Sequence, residues 1–167
     1  HAVSVGEVNA SIPLLRELME EYADSEFLVT TSTPTGSDIL LSKLGNKVKH
    51  QYVPIDIPFC INLFISTWKP RALILLETEI WPNIIHCCKK KGIVTSLVNA
   101  RLSEKSKSKY LQFSSFIKPA INSLDLILAQ YQSDAERFNE IVPDKEIKLC
   151  GNLKFDQDMP EELESIS

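Results

Sequence analysis

A glutamate follows a glycine at Ser4-Val5-Gly6-Glu7, where a strand-like start at residues 2–5 hands over to an amphipathic helix. A carboxylate there stands where open α/β sheets bind ligands, outside the carboxyl ends of the strands. It can also serve only to complement the dipole of the helix it opens. Glu77-Thr78-Glu79 adds two more carboxylates after the apolar run Ala72–Leu76. In an extended stretch these two point the same way. Glu7 and the Glu77/Glu79 pair are candidates for general acid or base work if burial or a neighbouring carboxylate raises a pKa. A hydrogen-bonded network bracing adjacent loops would use the same side chains.

Other polar groups sit at equivalent points. Asn99 and Arg101 suit hydroxyls, carboxylate or phosphate, because guanidinium presents a planar fork of donors; loop-to-loop bracing is their alternative use. Thr33-Pro34-Thr35-Gly36-Ser37 opens a helix with small hydroxyl residues and a glycine. That is either an anion or sugar-hydroxyl site or a capping turn. Asp56 and Gln130 also follow strand-like runs. Lys89-Lys90-Lys91 and the series Arg101, Lys105, Lys107, Lys109 are basic runs, usually solvated faces, but the second begins beside the proposed cleft. Trp68 and Trp81 read as packing residues near helix ends.

These groups need a scaffold that gathers them. Strand patterns fall at residues 2–5, 27–31, 48–53, Ala72–Leu76, 93–98, 124–128 and 146–149. Helical patterns fall at 9–23, with Asn9 as cap, then 37–44, Pro58–Trp68, 81–91, 103–122 and 133–141. Alternation of this kind predicts an α/β fold, a mostly parallel sheet with helices on both faces and right-handed crossovers. Glu7, the segment 31–36, Asp56, Glu77 with Glu79, Asn99 with Arg101, and Gln130 all follow strands, so they gather along one edge of the sheet.

The chain has 167 residues, 44% hydrophobic and 24% charged, with net charge −4. That is one ordinary globular domain and argues against a general nucleic-acid binder. No apolar run reaches the ~18–20 residues needed to span a bilayer. The chain opens inside a strand without an initiator methionine, as expected of a piece of a longer polypeptide. Cys60, Cys87, Cys88 and Cys150 lack the spacing of a zinc site or redox pair and read as buried small apolar side chains. The three-glycine dinucleotide fingerprint and the P-loop are both absent, which argues against a complete nucleotide site here.

Five blocks taken together resemble a known family. They are His1-Ala2-Val3-Ser4-Val5-Gly6-Glu7, Thr31-Ser32-Thr33-Pro34-Thr35-Gly36, Glu77-Thr78-Glu79-Ile80-Trp81-Pro82-Asn83, Asn99-Ala100-Arg101-Leu102-Ser103 and Gly151-Asn152-Leu153-Lys154-Phe155-Asp156. They occur in this order in the Kdo transferases, the lipopolysaccharide enzymes also called 3-deoxy-D-manno-octulosonic acid transferases.

The resemblance implies a two-domain GT-B architecture. Residues 1–150 would be the Rossmann-like N-terminal acceptor-binding domain, and 151–167 the start of an interdomain linker. The donor domain and an N-terminal membrane anchor would lie outside this chain, leaving the isolated piece inactive. The implied reaction is inverting transfer of Kdo from CMP-Kdo to a hydroxyl of the lipid A precursor, at the cytoplasmic face of the bacterial inner membrane. It needs no essential metal or other cofactor.

Glu7 matches the family's glutamate and would be the base. Glu77 or Glu79 would support the acceptor or an oxocarbenium-like charge. Gly6, Thr33, Thr35, Gly36, Asn99, Arg101 and Lys105 are the substrate-binding candidates. On charge alone, Arg101 and the lysines after it suit the acceptor's phosphates or an anionic membrane surface.

Two other readings stand beside this one. The first is another GT-B sugar transferase or nucleotide-sugar epimerase. The second is a non-catalytic binding or receiver-like α/β module; Asp56 stands where a phosphoacceptor would, although the acidic pair expected after the first strand is missing.

Overall fold

Ala72–Leu76 is apolar at every position, and a parallel strand covered on both faces requires that. A computed structural model describes residues 1–153 of the protein. In chain order it contains α1 (Val5–Glu21), β1 (Leu28–Thr31), α2 (Pro34–Leu44), a 3₁₀ turn (Gly45–Lys47), β2 (Lys49–Tyr52), α3 (Pro58–Trp68) and β3 (Ala72–Leu76). There follow α4 (Pro82–Lys90), β4 (Val94–Ala100), α5 (Glu104–Gln112), α6 (Ser114–Ser123), β5 (Leu126–Ala129), α7 (Gln132–Ile141) and β6 (Lys148–Leu149).

All described strand pairs are parallel: β1 with β2, and β3-β4-β5-β6 in that order. Successive residues of β3 and β4 serve opposite faces. Leu75 and Leu97 enter a core with Ile61, Ile85, Ile121 and Phe138, beneath α3, α4, α6 and α7. Leu76 and Val98 enter a second core with Val8, Ile12, Val29 and Leu40, beneath α1 and α2. The expected α/β sheet covered on both faces is therefore present.

Three local expectations are corrected. Residues 2–5 do not form a strand, and the first helix starts at Val5 rather than after Asn9. The cause is a variant of the capping box, with the glutamate reaching the N–H one residue before the N-cap. Ser4 Oγ accepts from the Glu7 N–H at 3.3 Å, and the Glu7 carboxylate turns back to accept from the Val3 N–H at 2.7 Å. His1 and Ala2 still act as a link between the two sheets. The His1 nitrogen donates to Ile74 O at 2.6 Å and Ala2 N–H to Thr30 O at 3.0 Å.

The helix expected over 103–122 breaks at Phe113, which takes φ −105° and ψ 31°. Its halves pack on different partners, α5 against α7 and α6 against α4. Finally, β4 runs on to Ala100 with a register shift between Leu97 and Ala100. Asn99 sits within that shift.

Among the described residues no helix is long and apolar enough to cross a membrane. The linker expected from Gly151 lies, from residue 154 onward, outside the described residues. Cys87 and Cys88 are buried as expected, and burial followed by the Cys87 neighbour pushes the Cys88 thiol up to about 11; Cys150, by contrast, is exposed.

Candidate active site

The capping box that starts α1 also places Glu7. Its side chain is only 7% exposed, with one oxygen accepting the Val3 N–H and the other the Ser4 hydroxyl at 3.2 Å. Burial raises the Glu7 pKa above its ordinary value, and the Val3 amide opposes this. The nearby negative charges of Glu79 and then Glu77 push it further up, while Ser4 pulls it down. The three glutamates named from sequence therefore share one electrostatic environment.

The Glu77–Glu79 segment reaches that site by a different route from the one expected. It is a tight turn rather than an extended stretch: Glu79 N–H donates to Leu76 O at 3.2 Å. Glu77 takes φ 53°, a left-handed conformation that costs a non-glycine residue about 1–2 kcal/mol. Its N–H donates to Val98 O at 3.1 Å, and its carbonyl accepts from Arg101 N–H at 3.3 Å.

Two aromatic residues, neither assigned to the site from sequence, hold the rest of the turn. Trp81 Nε1 donates to Glu79 Oε2 at 2.5 Å, while its ring meets His1 edge to face at 5.1 Å. Tyr110 Oη donates to Thr78 O at 2.9 Å. Burial, reinforced by Glu79, pushes the Tyr110 phenol up to about 12, so it remains a donor at neutral pH.

The remaining candidates divide between exposed and structural positions. Arg101 is exposed and tied through its backbone to Glu77; Lys105 is exposed on the first turn of α5. Lys107 is committed elsewhere, to Glu104 at 2.9 Å and Glu140 at 2.8 Å. Gly6 is exposed, and a Cβ there would meet only Ser4 Oγ at 3.8 Å, so packing within the chain does not account for the glycine.

Thr33 is the N-cap of α2, its Oγ1 accepting from Gly36 N–H at 3.1 Å; Thr35 is exposed. Gly36 is buried, and a Cβ would come within 3.1 Å of Thr33 Oγ1 and 3.6 Å of Val8 Cγ2. The glycine thus lets α2 start against α1, one residue along from Glu7.

Asn99 is fully buried at φ 56°. Its Oδ1 accepts from Leu153 N–H at 3.2 Å and its carbonyl from Gln130 Nε2 at 3.0 Å. This is the bracing arrangement, with Gln130 as the other brace.

Asp56 is a helix cap supplied from another loop. Its oxygens accept from Asn83 N–H at 3.1 Å and Ile84 N–H at 2.9 Å, at the start of α4. A phosphoacceptor role for Asp56 would sacrifice that cap, and the receiver-like reading loses its basis.

Residues 1–157 match the family model described as 3-deoxy-D-manno-octulosonic-acid transferase (kdotransferase). The chain belongs to the Kdo-transferase family. A Haemophilus influenzae 3-deoxy-D-manno-octulosonic acid transferase is 37% identical over 164 residues, covering 98% of this chain and 38% of the relative. The Rickettsia felis protein of the same name is 35% identical over 168 residues, covering 100% of this chain and 36% of the relative. An Arabidopsis thaliana protein, named a probable mitochondrial 3-deoxy-D-manno-octulosonic acid transferase, is 35% identical over 160 residues, 93% of this chain and 35% of the relative. The chain thus spans less than two-fifths of the length of these Kdo transferases.

Proposed function

We propose that this chain is the acceptor-side, N-terminal domain of a GT-B Kdo transferase, with Glu7 as the general base. Residues 1–150 would form the acceptor wall, and the chain from 151 would lead towards a donor domain that binds CMP-Kdo. The lipid A precursor supplies the attacking hydroxyl. Its oxygen bonds to the anomeric carbon as the bond to CMP breaks and CMP departs with the electron pair, inverting the centre. Glu7 takes the hydroxyl proton in that step.

The observation that carries this reading is the buried Glu7 carboxylate whose proton affinity is raised by burial and by Glu79 and Glu77. A base so tuned binds the proton more firmly than an ordinary carboxylate. Beside Glu7, Gly6 is exposed and carries no side chain. Glu79, held by Trp81, faces developing positive charge on the sugar. Arg101 meets an acceptor phosphate, and Lys105 with its neighbours favours an anionic membrane surface at the cytoplasmic face of the inner membrane.

The test is Glu7→Gln in the full-length protein, assayed with CMP-Kdo and lipid A precursor. Loss of the base should lower kcat by ~10²–10⁴ with CMP-Kdo binding retained. Near-normal turnover would place the base elsewhere.

A further inference from the structure

Leu102 lies between β4 and α5 and is fully buried. Both of its backbone polar groups are gripped by side chains of one helix turn. Its N–H donates to Asp134 Oδ1 at 2.9 Å, and its carbonyl accepts from Arg137 Nη1 at 3.2 Å. Asp134 and Arg137 also contact each other at 3.5 Å, one turn apart on α7. Arg137 continues to Glu104 Oε1, at the first residue of α5, at 2.7 Å.

Asp134 is 4% exposed. Burying a carboxylate is costly unless partners offset it, and here the partners are the Leu102 N–H and Arg137. The start of α5 does not need this arrangement, because Ser103 Oγ already caps it by accepting from Ser106 N–H at 3.1 Å. What Asp134 and Arg137 fix is the residue between Arg101 and that cap. On the other side, Arg101 N–H is held by Glu77 O at 3.3 Å, and the Ala100 carbonyl by Gln130 N–H at 2.9 Å. Arg101 therefore sits between two fixed points, one on the acidic turn and one on α7, with an exposed side chain.

We propose that Asp134 and Arg137 are positioning residues that aim the Arg101 guanidinium at an anionic group of the acceptor. This rests on the reading of Arg101 given above. Neither residue touches substrate; both act through the Leu102 backbone.

The experiment measures kcat and KM for lipid A precursor, with CMP-Kdo saturating, in the full-length protein and four variants. Arg101→Gln should raise KM. Asp134→Ala should also raise KM, by about ten-fold for a misplaced charge-assisted contact, with kcat at saturation little changed. Asp134→Asn keeps an oxygen for the Leu102 N–H and should recover most of the loss. Combining Arg101→Gln with Asp134→Ala should raise KM no further than Arg101→Gln alone, because both remove one interaction.

A raised KM in Arg101→Gln with an unchanged KM in Asp134→Ala would overturn the positioning role. So would a loss confined to kcat, or additive losses in the double variant. An unchanged KM in Arg101→Gln would instead overturn the reading of Arg101 itself, and this inference with it. Should Asp134→Ala fail to fold, Arg137→Ala, which releases the Leu102 carbonyl, takes its place with the same outcomes.

Discussion

Trp81 Nε1 donates to Glu79 Oε2 at 2.5 Å, so a residue at the start of α4 fixes the carboxylate that ends the acidic turn after β3. The indole also packs edge to face on His1, and its position is therefore set from both sides of the site.

Trp81→Phe in the full-length protein keeps an aromatic ring against His1 and removes only the donor. Hydrogen bonds to charged groups contribute about 1.5–3 kcal/mol. The transfer rate should accordingly fall by about ten-fold or more, at 1.4 kcal/mol per decade, while the melting temperature falls by a few degrees. An unaltered rate would show that Glu79 needs no such anchor.

Glu7 should also have a cost in stability, with a definite pH dependence. Its folded pKa is raised above the ordinary 4.5, so between those two values the folded state binds more protons than the unfolded state. Stability then falls as pH rises through that window. Glu7→Gln keeps an oxygen for the Val3 N–H and cannot ionise. Melting curves of the two full-length proteins should converge below pH 4.5 and separate as pH rises, with the glutamine form the more stable at neutral pH. A wild-type protein that gains stability relative to the variant over that range would contradict the account.

The alternation of apolar runs and turn residues made the parallel sheet and its loaded edge legible, because buried parallel strands leave a strong pattern. Glu7 stands apart from that pattern: the strand expected at residues 2–5 does not form, and the Ser4-to-Glu7 spacing of a helix cap is what places it. The turn at Glu77 was not legible. A left-handed glutamate leaves no trace in composition, and its backbone partners at Val98 and Arg101 lie far along the chain. Tyr110 carries no local signal because it reaches a carbonyl 32 residues away, and Trp81, which reads as a packing residue, also donates to Glu79 two residues back. Asn99 is divided: its Oδ1 holds the Leu153 N–H, while its buried Nδ2 has no hydrogen-bond partner among the described residues. The break at Phe113 arises from packing, since α5 and α6 follow different neighbours.

The central claim is that Glu7 is the base and that Glu79 and Glu77 tune it. The most direct measurement is the acid limb of the pH–kcat/KM profile for Kdo transfer by the full-length protein, compared between wild type and Glu79→Gln. In wild type the limb should lie above the ordinary carboxylate value of 4.5, because Glu7 must be ionised to accept the proton. Removing the Glu79 charge should shift that limb to lower pH, whatever the variant's absolute rate. A limb that stays in place in Glu79→Gln would contradict the account.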